Sequence, residues 1–188
     1  MWWHDRRNAV GRAAPLALAL TLAGLVGGCF EPLYAERTLS GKPGMRQQLS
    51  GVVVDQIPAP AASPEARIAV AIRNALIFNL TGGADTPPAK YRLRVTITPS
   101  RQQVIVDITT SRPDVELIGF QASYSLTEIA TNRVVVTGST MARASYDIPG
   151  QEQRFAGARG QLDAQERTAK VIADNITARL ASFFIAGT

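Results

Sequence analysis

The sequence predicts an α/β (α+β) two-layer sandwich, with two helices packed on one face of a mostly antiparallel sheet of four to five strands. One observation is that the middle of the chain alternates apolar and polar residues, as half-buried strands do. Another is that two flanking segments carry apolar residues at spacings of three and four, which is typical of amphipathic helices. Helices laid on one face of a sheet bury all of these apolar surfaces. The predicted order is β-α-β-β-β-β-α.

The first strand and the first helix have clear start and stop signals. Residues 51–57 are rich in valine and isoleucine, as strands are, and Pro58 ends the run. Residues 63–65 (Ser-Pro-Glu) predict a helix start, because serine caps, proline fits the first turn and glutamate meets the positive end of the helix dipole. Residues 68–80 carry the apolar stripe, and the glycine pair 82–83 ends the helix.

Four further strands are predicted in the middle of the chain, each from an alternating pattern: 91–98, 103–109, 119–129 and 134–146. Residues 99–101 (Pro-Ser-Arg) are predicted to turn the chain, and 110–116 to form a loop. Residues 130–133 are predicted to form a hairpin turn. One face of this sheet is predicted to be polar, because Arg92, Arg94 and the residues that alternate with the apolar ones all point to it.

The second helix is predicted near the end of the chain. Residues 148–160 are polar and rich in glycine, so a loop is expected there. Residues 163–166 (Asp-Ala-Gln-Glu) have the spacing of a capping box and predict the helix start. An apolar stripe then runs from Ala169 to Phe183.

The first 28 residues have the pattern of a signal peptide. Three arginines precede an uncharged apolar run at residues 13–26. The run has the length of a signal core and is shorter than the roughly 20 residues that span a bilayer. Residues 25–29 (Leu-Val-Gly-Gly-Cys) follow at once and resemble the lipobox of bacterial lipoproteins. The alternative is an ordinary secretory signal with an incidental cysteine.

Cys29 is the only cysteine of the chain and is predicted to carry the lipid, including palmitate. The predicted organisation is therefore a signal peptide at 1–28, a lipidated tether at 29–48 and a single α/β domain at 49–188. Removal of the signal leaves 17 basic and 14 acidic residues of the original 20 and 15, and the net charge falls from +5 to +3.

Composition also limits the chemistry of the mature chain. The only histidine, His4, belongs to the signal, which excludes histidine-based triads and most zinc sites from the mature protein. No metal, cofactor or nucleic-acid partner is predicted. A hydrolase using paired carboxylates stays open as an alternative, although the acidic residues are scattered along the chain. The protein is therefore predicted not to be an enzyme.

Several segments, taken in order, resemble one family. Cys29-Phe-Glu-Pro-Leu-Tyr34 is similar to the start of the lipopolysaccharide (LPS) assembly lipoproteins of the LptE family, in the alphaproteobacterial form, although the family's glycine after the cysteine is missing. The other segments that resemble the family are 57–58 (Ile-Pro), 72–76 (Ile-Arg-Asn-Ala-Leu), 91–95 (Tyr-Arg-Leu-Arg-Val), 122–126 (Ala-Ser-Tyr-Ser-Leu), 163–167 (Asp-Ala-Gln-Glu-Arg), 172–176 (Ile-Ala-Asp-Asn-Ile) and 180–183 (Leu-Ala-Ser-Phe).

The resemblance implies a place and a partner. Members of the LptE family sit in the outer membrane facing the periplasm, plug the lumen of the LptD β-barrel, and help to deliver LPS to the cell surface. The resemblance also implies LPS binding, and neither catalysis nor a cofactor. The competing interpretation is a periplasm-facing lipoprotein adaptor of another envelope transport or assembly complex.

Candidate site residues follow from both arguments. Arg92 and Arg94 could pair with lipid A phosphates in the forked geometry that arginine favours, or could simply be a solvated strand face. Arg101, Arg112 and Arg133 lie at predicted turns and are further LPS candidates. The residues assigned to a partner or fold motif are Ile72, Arg73, Asn74, Leu76 and Tyr124.

Overall fold

The computed structural model describes residues 44–83, 87–107, 112–148 and 154–186, with backbone only at 103–107, 112–114 and 154. It confirms the predicted fold class, since helices pack on a four-stranded sheet. The observed order is α-β-α-β-β-β-α. The elements are α1 (Met45–Ser50), β1 (Val52–Val54), α2 (Pro64–Thr81), β2 (Tyr91–Asp107), β3 (Arg112–Glu128), β4 (Arg133–Asp147) and α3 (Arg154–Ala186).

The sheet is mixed, with the order β1-β2-β3-β4. The short strand β1 runs parallel to β2 and pairs only with Tyr91, Arg92 and Leu93. The long strands β2, β3 and β4 pair antiparallel in sequence order. The free edge of β2 beyond this short parallel ladder is therefore not covered by another described strand.

The core lies between α2, α3 and one face of the sheet. Ile72 on α2 and Ile176 on α3 have no solvent-exposed surface, and neither have Leu93 and Leu126 on the sheet. A side-chain hydrogen bond from Asn175 to Thr140 (3.0 Å) ties α3 to β4 on this same face. Fully burying a side chain of this size contributes about 1.5–3 kcal/mol, so the predicted apolar stripes carry much of the stability.

Helix α2 begins and ends where the sequence predicts. The Ser63 side chain accepts a hydrogen bond from the backbone N–H of Ala66 (3.1 Å), and Pro64 occupies the first turn. Gly82 closes the helix in the left-handed conformation (φ 64°), with its N–H donating to Phe78 O at 2.8 Å. Glycine adopts this backbone conformation without the steric cost that a Cβ adds.

The turn predicted at residues 99–101 is wrong, because β2 continues without a break from Tyr91 to Asp107. Pro99 pairs with Phe120, and Arg101 pairs with Ile118. Proline cannot donate a ladder hydrogen bond, but an edge strand tolerates it where its nitrogen faces away from the neighbouring strand. The two strands predicted at 91–98 and 103–109 are therefore one strand. Its partner β3 starts at Arg112, inside the predicted loop.

Helix α3 begins at Arg154, well before the predicted start at Asp163. Asp163 lies within the helix and pairs with Arg167 at 2.8 Å, so it does not act as the helix cap. Arg167 also donates to the backbone carbonyl of Ser145 (3.0 Å) on β4. The contact between Arg167 and Ser145 holds this part of α3 against the sheet.

Helix α1 lies in the segment predicted to be a tether. Met45 and Leu49 are 6% and 2% exposed and belong to the core. Met45 and Leu49 are four residues apart, which is too short a pattern to predict a helix. Their burial nevertheless holds this short helix against the core. The compact unit accordingly begins at Met45, four residues before the predicted boundary at 49. The predicted signal peptide and Cys29 lie outside the described residues.

Candidate functional site

One face of the sheet, called here the outer face, points away from the helices and is polar. In the middle of this face, Thr96, Ser123 and Ser139 lie side by side on three strands, and all three are exposed. The confirmed alternation places these side chains opposite the core. The outer-face residues, named from β2 to β4, are Arg92, Arg94, Thr96, Thr98, Ser100, Gln121, Ser123, Ser125, Thr127, Thr137, Ser139, Met141 and Arg143.

Arg92 and Arg94 share one carboxylate at the edge of the outer face. Arg94 Nε donates a hydrogen bond to Asp55 Oδ2 at 3.2 Å, and Arg92 Nε lies 3.6 Å from Asp55 Oδ1. The side chains of Arg92 and Arg94 are 46% and 66% exposed, and that of Asp55 is 35% exposed. We call these three residues the Arg92–Arg94–Asp55 cluster.

The parallel pairing of β1 and β2 creates this cluster. Val53 pairs with Arg92, and the backbone N–H of Asp55 donates to Leu93 O at 3.0 Å, which extends the ladder just beyond β1. Side chains alternate along a strand, so Asp55 points to the same side as Val53. The carboxylate therefore lies beside both guanidinium groups.

The charge balance of the cluster leaves it able to bind an anion. Two cations share one carboxylate, so the local charge is positive. Ion pairs exposed to this degree contribute only about 0–1 kcal/mol. A ligand with several phosphate groups can therefore compete for the arginines. Arginine binds such groups well because its planar fork donates two parallel hydrogen bonds.

Of the other three predicted arginines, Arg101 and Arg133 lie outside this cluster. Arg101 lies in β2 on the helix side of the sheet, paired with Ile118, and not at a turn. There its charge acts on Glu65 and Tyr146. Arg133 is exposed at the start of β4, next to the hairpin turn that was predicted there. The backbone of Arg112 begins β3, but its side chain lies outside the described residues.

The electrostatics around Arg101 involve two titratable groups. A hydrogen bond at the start of α2 lowers the pKa of Glu65, helped by the Ser63 hydroxyl and, more weakly, by Arg101. Burial raises the pKa of Tyr146, and a hydrogen bond from its hydroxyl to Glu116 (3.0 Å) raises it further. The cation of Arg101 partly opposes this second shift. Arg101 therefore already acts on one anionic group of the fold, the Glu65 carboxylate.

The predicted partner or fold motif divides between the core and the surface. Ile72 and Leu76 have no exposed surface, and Tyr124 is 8% exposed, so these three residues serve the fold. Asn74 is exposed on α2. Arg73 lies between these extremes and lines a cleft.

This cleft, called here the α2 cleft, opens between α2 and the connector that follows β1. Its volume is about 490 Å³. Ala66, Ala69 and Val70 form the helix wall, and Arg73 contributes a charged group. Its connector wall consists of Gln56, Ile57, Pro58, Ala59 and Ala61. The Nε atom of Arg73 is buried and has no hydrogen-bond partner in the part of the chain that the structure describes.

Three of the described acidic residues have separate partners. Glu116 accepts a hydrogen bond from Tyr146, and Glu128 accepts one from Thr131 at 2.5 Å, while Asp55 faces the two arginines. Within the described ranges, no three metal-binding side chains come together. None of the described helices is long and apolar enough to cross a membrane.

Two of these features have no local signal in the sequence. To predict Asp55 as the partner of Arg92 and Arg94, one would need to know that β1 runs parallel to β2 and in which register the two strands pair. The α2 cleft had no sequence signal beyond small residues near Arg73. Both depend on the path of the connector, which a residue pattern does not define.

Comparisons with known proteins identify the fold. No family model matches the chain, and no curated protein sequence matches it. Among solved structures, a candidate lipoprotein from Caulobacter crescentus is similar, with 21% identity and a TM-score of 0.59, over 77% of this chain and 97% of that one. Rare lipoprotein B from Shewanella oneidensis aligns at 12% identity and a TM-score of 0.50, over 72% of this chain and 96% of that one.

A third solved structure of a bacterial lipoprotein has a similar fold. Lipoprotein B from Nitrosomonas europaea aligns at 14% identity and a TM-score of 0.51, over 72% of this chain and 85% of that one. The fold of this chain is therefore one that structurally characterised bacterial lipoproteins adopt. Identities this low establish the shared fold and leave partners and ligands to be argued from the residues.

Proposed function

We propose that this protein is an outer-membrane lipoprotein, anchored by Cys29 and facing the periplasm, that plugs an LptD-type β-barrel and assists LPS transport and insertion. In this proposal it binds LPS and is not an enzyme. The lipobox, the resemblance of the sequence to the LptE family and the lipoprotein fold support the assignment together. The anchoring step is physically sound, since each buried CH₂ of an acyl chain contributes about 0.8 kcal/mol and two or more chains anchor stably.

The observation that carries the plug role is the polar outer face of the sheet. The lumen of a membrane β-barrel is polar, so a protein that fills it needs hydrogen-bonding groups on its own surface. Thr96, Ser123, Ser139 and Gln121 offer such groups on a face that the helices leave uncovered. Their hydroxyl and amide groups both donate and accept hydrogen bonds, which suits a wet interface.

The LPS role rests on the Arg92–Arg94–Asp55 cluster. Lipid A carries phosphate groups, and the two exposed guanidinium groups lie on neighbouring outward positions of one strand. A single carboxylate cannot neutralise both. The cluster therefore combines positive charge, exposure and the forked geometry that phosphates favour.

Copurification with site-specific crosslinking tests the proposal. A photoreactive amino acid at Ser123, on the outer face, should crosslink to LptD in the native host. The same amino acid at Val171, which is 46% exposed on α3, is the matched control and should crosslink less. A tagged protein that recovers another envelope complex and no LptD would instead support the adaptor alternative.

A further inference from the structure

The α2 cleft contains a charged group that the fold does not use. Arg73 Nε is buried without a hydrogen-bond partner in the described part of the chain. None of the described ion pairs includes Arg73. An unsatisfied buried donor is costly, and for a charged group the cost is higher. A carboxylate in the cleft could pair with this guanidinium group, since a carboxylate accepts two hydrogen bonds from one guanidinium.

The rest of the helix wall is apolar and made of small side chains. Ala66, Ala69 and Val70 line it, and Val70 is 58% exposed although its side chain is apolar. None of the described residues that line the cleft is acidic. The volume of about 490 Å³ falls within the range of small ligand sites. The cleft therefore suits an apolar group placed next to an anionic one.

Backbone N–H groups of the connector, residues 55–62, have few backbone partners among the described residues. Residues 55–60 belong to no helix or strand. The N–H groups of Asp55 and Ser63, at either end of the connector, donate to backbone carbonyls, whereas those of Gln56, Ile57 and Ala59 make no backbone hydrogen bond within the described ranges. Pro58 favours an extended path for the residue before it. An extended segment laid along such a wall could pair with it, as in strand addition.

From these three observations we propose that the α2 cleft binds an extended peptide segment of a partner protein. The segment places an apolar side chain against Ala69 and Val70 and a carboxylate on Arg73, while its backbone pairs with residues 56–59. A peptide fits better than an acyl chain, because an acyl chain would leave the connector's N–H and C=O groups unpaired on burial. The proposal requires neither LptD nor LPS, so it stands or falls separately from the proposed function.

Peptide selection on the mature lipoprotein in detergent tests this proposal. A library of random peptides displayed on phage is selected on the wild type, and enriched sequences are synthesised with a fluorescent label. We expect enriched peptides to combine an apolar residue with Asp, Glu or a free carboxyl terminus. Arg73→Gln should weaken their binding by about tenfold or more. Arg159→Gln, at an exposed arginine of α3, is the matched control and should leave binding unchanged.

The same assay identifies the contact more closely. Replacing the peptide carboxylate by its amide should weaken binding to the wild type and have little further effect on Arg73→Gln, because both changes remove the same ion pair. NMR of alanine methyl groups should show shifts at Ala59, Ala66 and Ala69 when peptide is added. Thermal unfolding of Arg73→Gln should occur at the wild-type temperature or above, which separates loss of binding from loss of fold.

Three outcomes would overturn the proposal. One is that no peptide is enriched over the detergent background. Another is that the enriched peptides bind Arg73→Gln as well as they bind the wild type. The third is that laurate, used as an acyl-chain probe, shifts the same methyl groups while the peptides do not, in which case the cleft is a lipid site.

Discussion

The aromatic ring of Tyr124 lies directly against Gly138, its partner on the neighbouring strand. A Cβ built on Gly138 would come within 2.5 Å of Tyr124 Oη and 2.7 Å of Cζ, closer than real Cβ atoms approach. Burial raises the pKa of the Tyr124 hydroxyl, and Arg179 partly opposes that shift. Glycine at 138 therefore makes room for a large ring that fills the core between β3, β4 and the helices.

Gly138→Ala should lower the free energy of unfolding by about 1–3 kcal/mol, which is typical of overpacking a well-filled core. Elsewhere in a strand the same substitution is usually neutral or favourable, because glycine weakens strands. The measurement is urea unfolding of the mature protein followed by circular dichroism.

A double-mutant cycle checks the cause. If the clash with the ring is responsible, Tyr124→Leu should reduce the effect of Gly138→Ala, and the two changes should couple by about 0.5 kcal/mol or more. Wild-type stability in the single variant Gly138→Ala would contradict this account of the Tyr124–Gly138 contact.

The Arg92–Arg94–Asp55 cluster predicts opposite effects of two variants on LPS binding. Arg92→Glu with Arg94→Glu should weaken binding, and more so at low salt, since screening of exposed charges is weaker there. Asp55→Asn should strengthen binding, because it removes the anion that competes with phosphate for both guanidinium groups. The measurement is LPS binding to the purified protein at two ionic strengths.

A charge-matched control keeps this test specific. Arg67→Glu with Arg159→Glu changes the net charge equally but at exposed positions of α2 and α3. This control should weaken binding less. Equal weakening by the two double variants would mean that LPS responds to net charge and not to the cluster.

Asp174 predicts a small, pH-dependent contribution to stability. Burial raises the pKa of its carboxyl, but hydrogen bonds from Lys170 (3.0 Å) and Asn79 (2.9 Å) outweigh this and lower it overall. The carboxylate thus joins α2 to α3. A pKa lower in the folded state gives stability that is complete above the unfolded value of about 3.9 and is lost as the pH falls through the folded-state pKa.

Asp174→Ala should therefore cost about 0.5 kcal/mol at pH 7, the magnitude of exposed ion pairs, and nothing near pH 2. The measurement is the free energy of unfolding at both pH values. Glu166→Ala is the control, since Glu166 is an exposed acid of the same helix for which the described structure gives no ion pair. A difference between Asp174→Ala and the wild type that persisted at pH 2 would exclude the ionic explanation.

Cys29→Ser should abolish lipidation, because serine offers no sulfur for the thioether bond. The expected result is a protein that either keeps its signal peptide or is released from the membrane. Metabolic labelling with a clickable palmitate in the native host measures it. Label that persisted in the variant would show that the lipid is attached elsewhere.

Local signals in the sequence predicted much of the fold. The cap at Ser63, the glycine stop at Gly82 and the apolar stripe of α2 act over one or two turns, so the sequence displays them directly. The alternation in β2 and β3 likewise predicted which side chains are buried. The outward direction of Arg92 and Arg94 followed from the same alternation.

The errors lie where distant parts of the chain decide the local structure. Pro99 looks like a turn residue, but the pairing of β2 with β3 holds it in a strand. Helix α3 contacts β4 through residues far apart in the sequence, such as Arg167 and Ser145. Asp55 lies beside two arginines because β1 pairs in parallel with β2. Helix α2 separates these two strands in the sequence. None of these relationships is visible in a local window of residues.

The edge of β2 that no described strand covers affects how readily two copies of the chain could associate. An open strand edge presents backbone groups that can template sheet growth from a second copy. Here β1 protects only the first three residues of β2, and Pro99, which lacks an N–H, interrupts the remainder. An incoming strand would find no long uninterrupted ladder to join. Pro99, which looks like a turn residue in the sequence, thus makes this edge a poor template for adding a second copy of the chain.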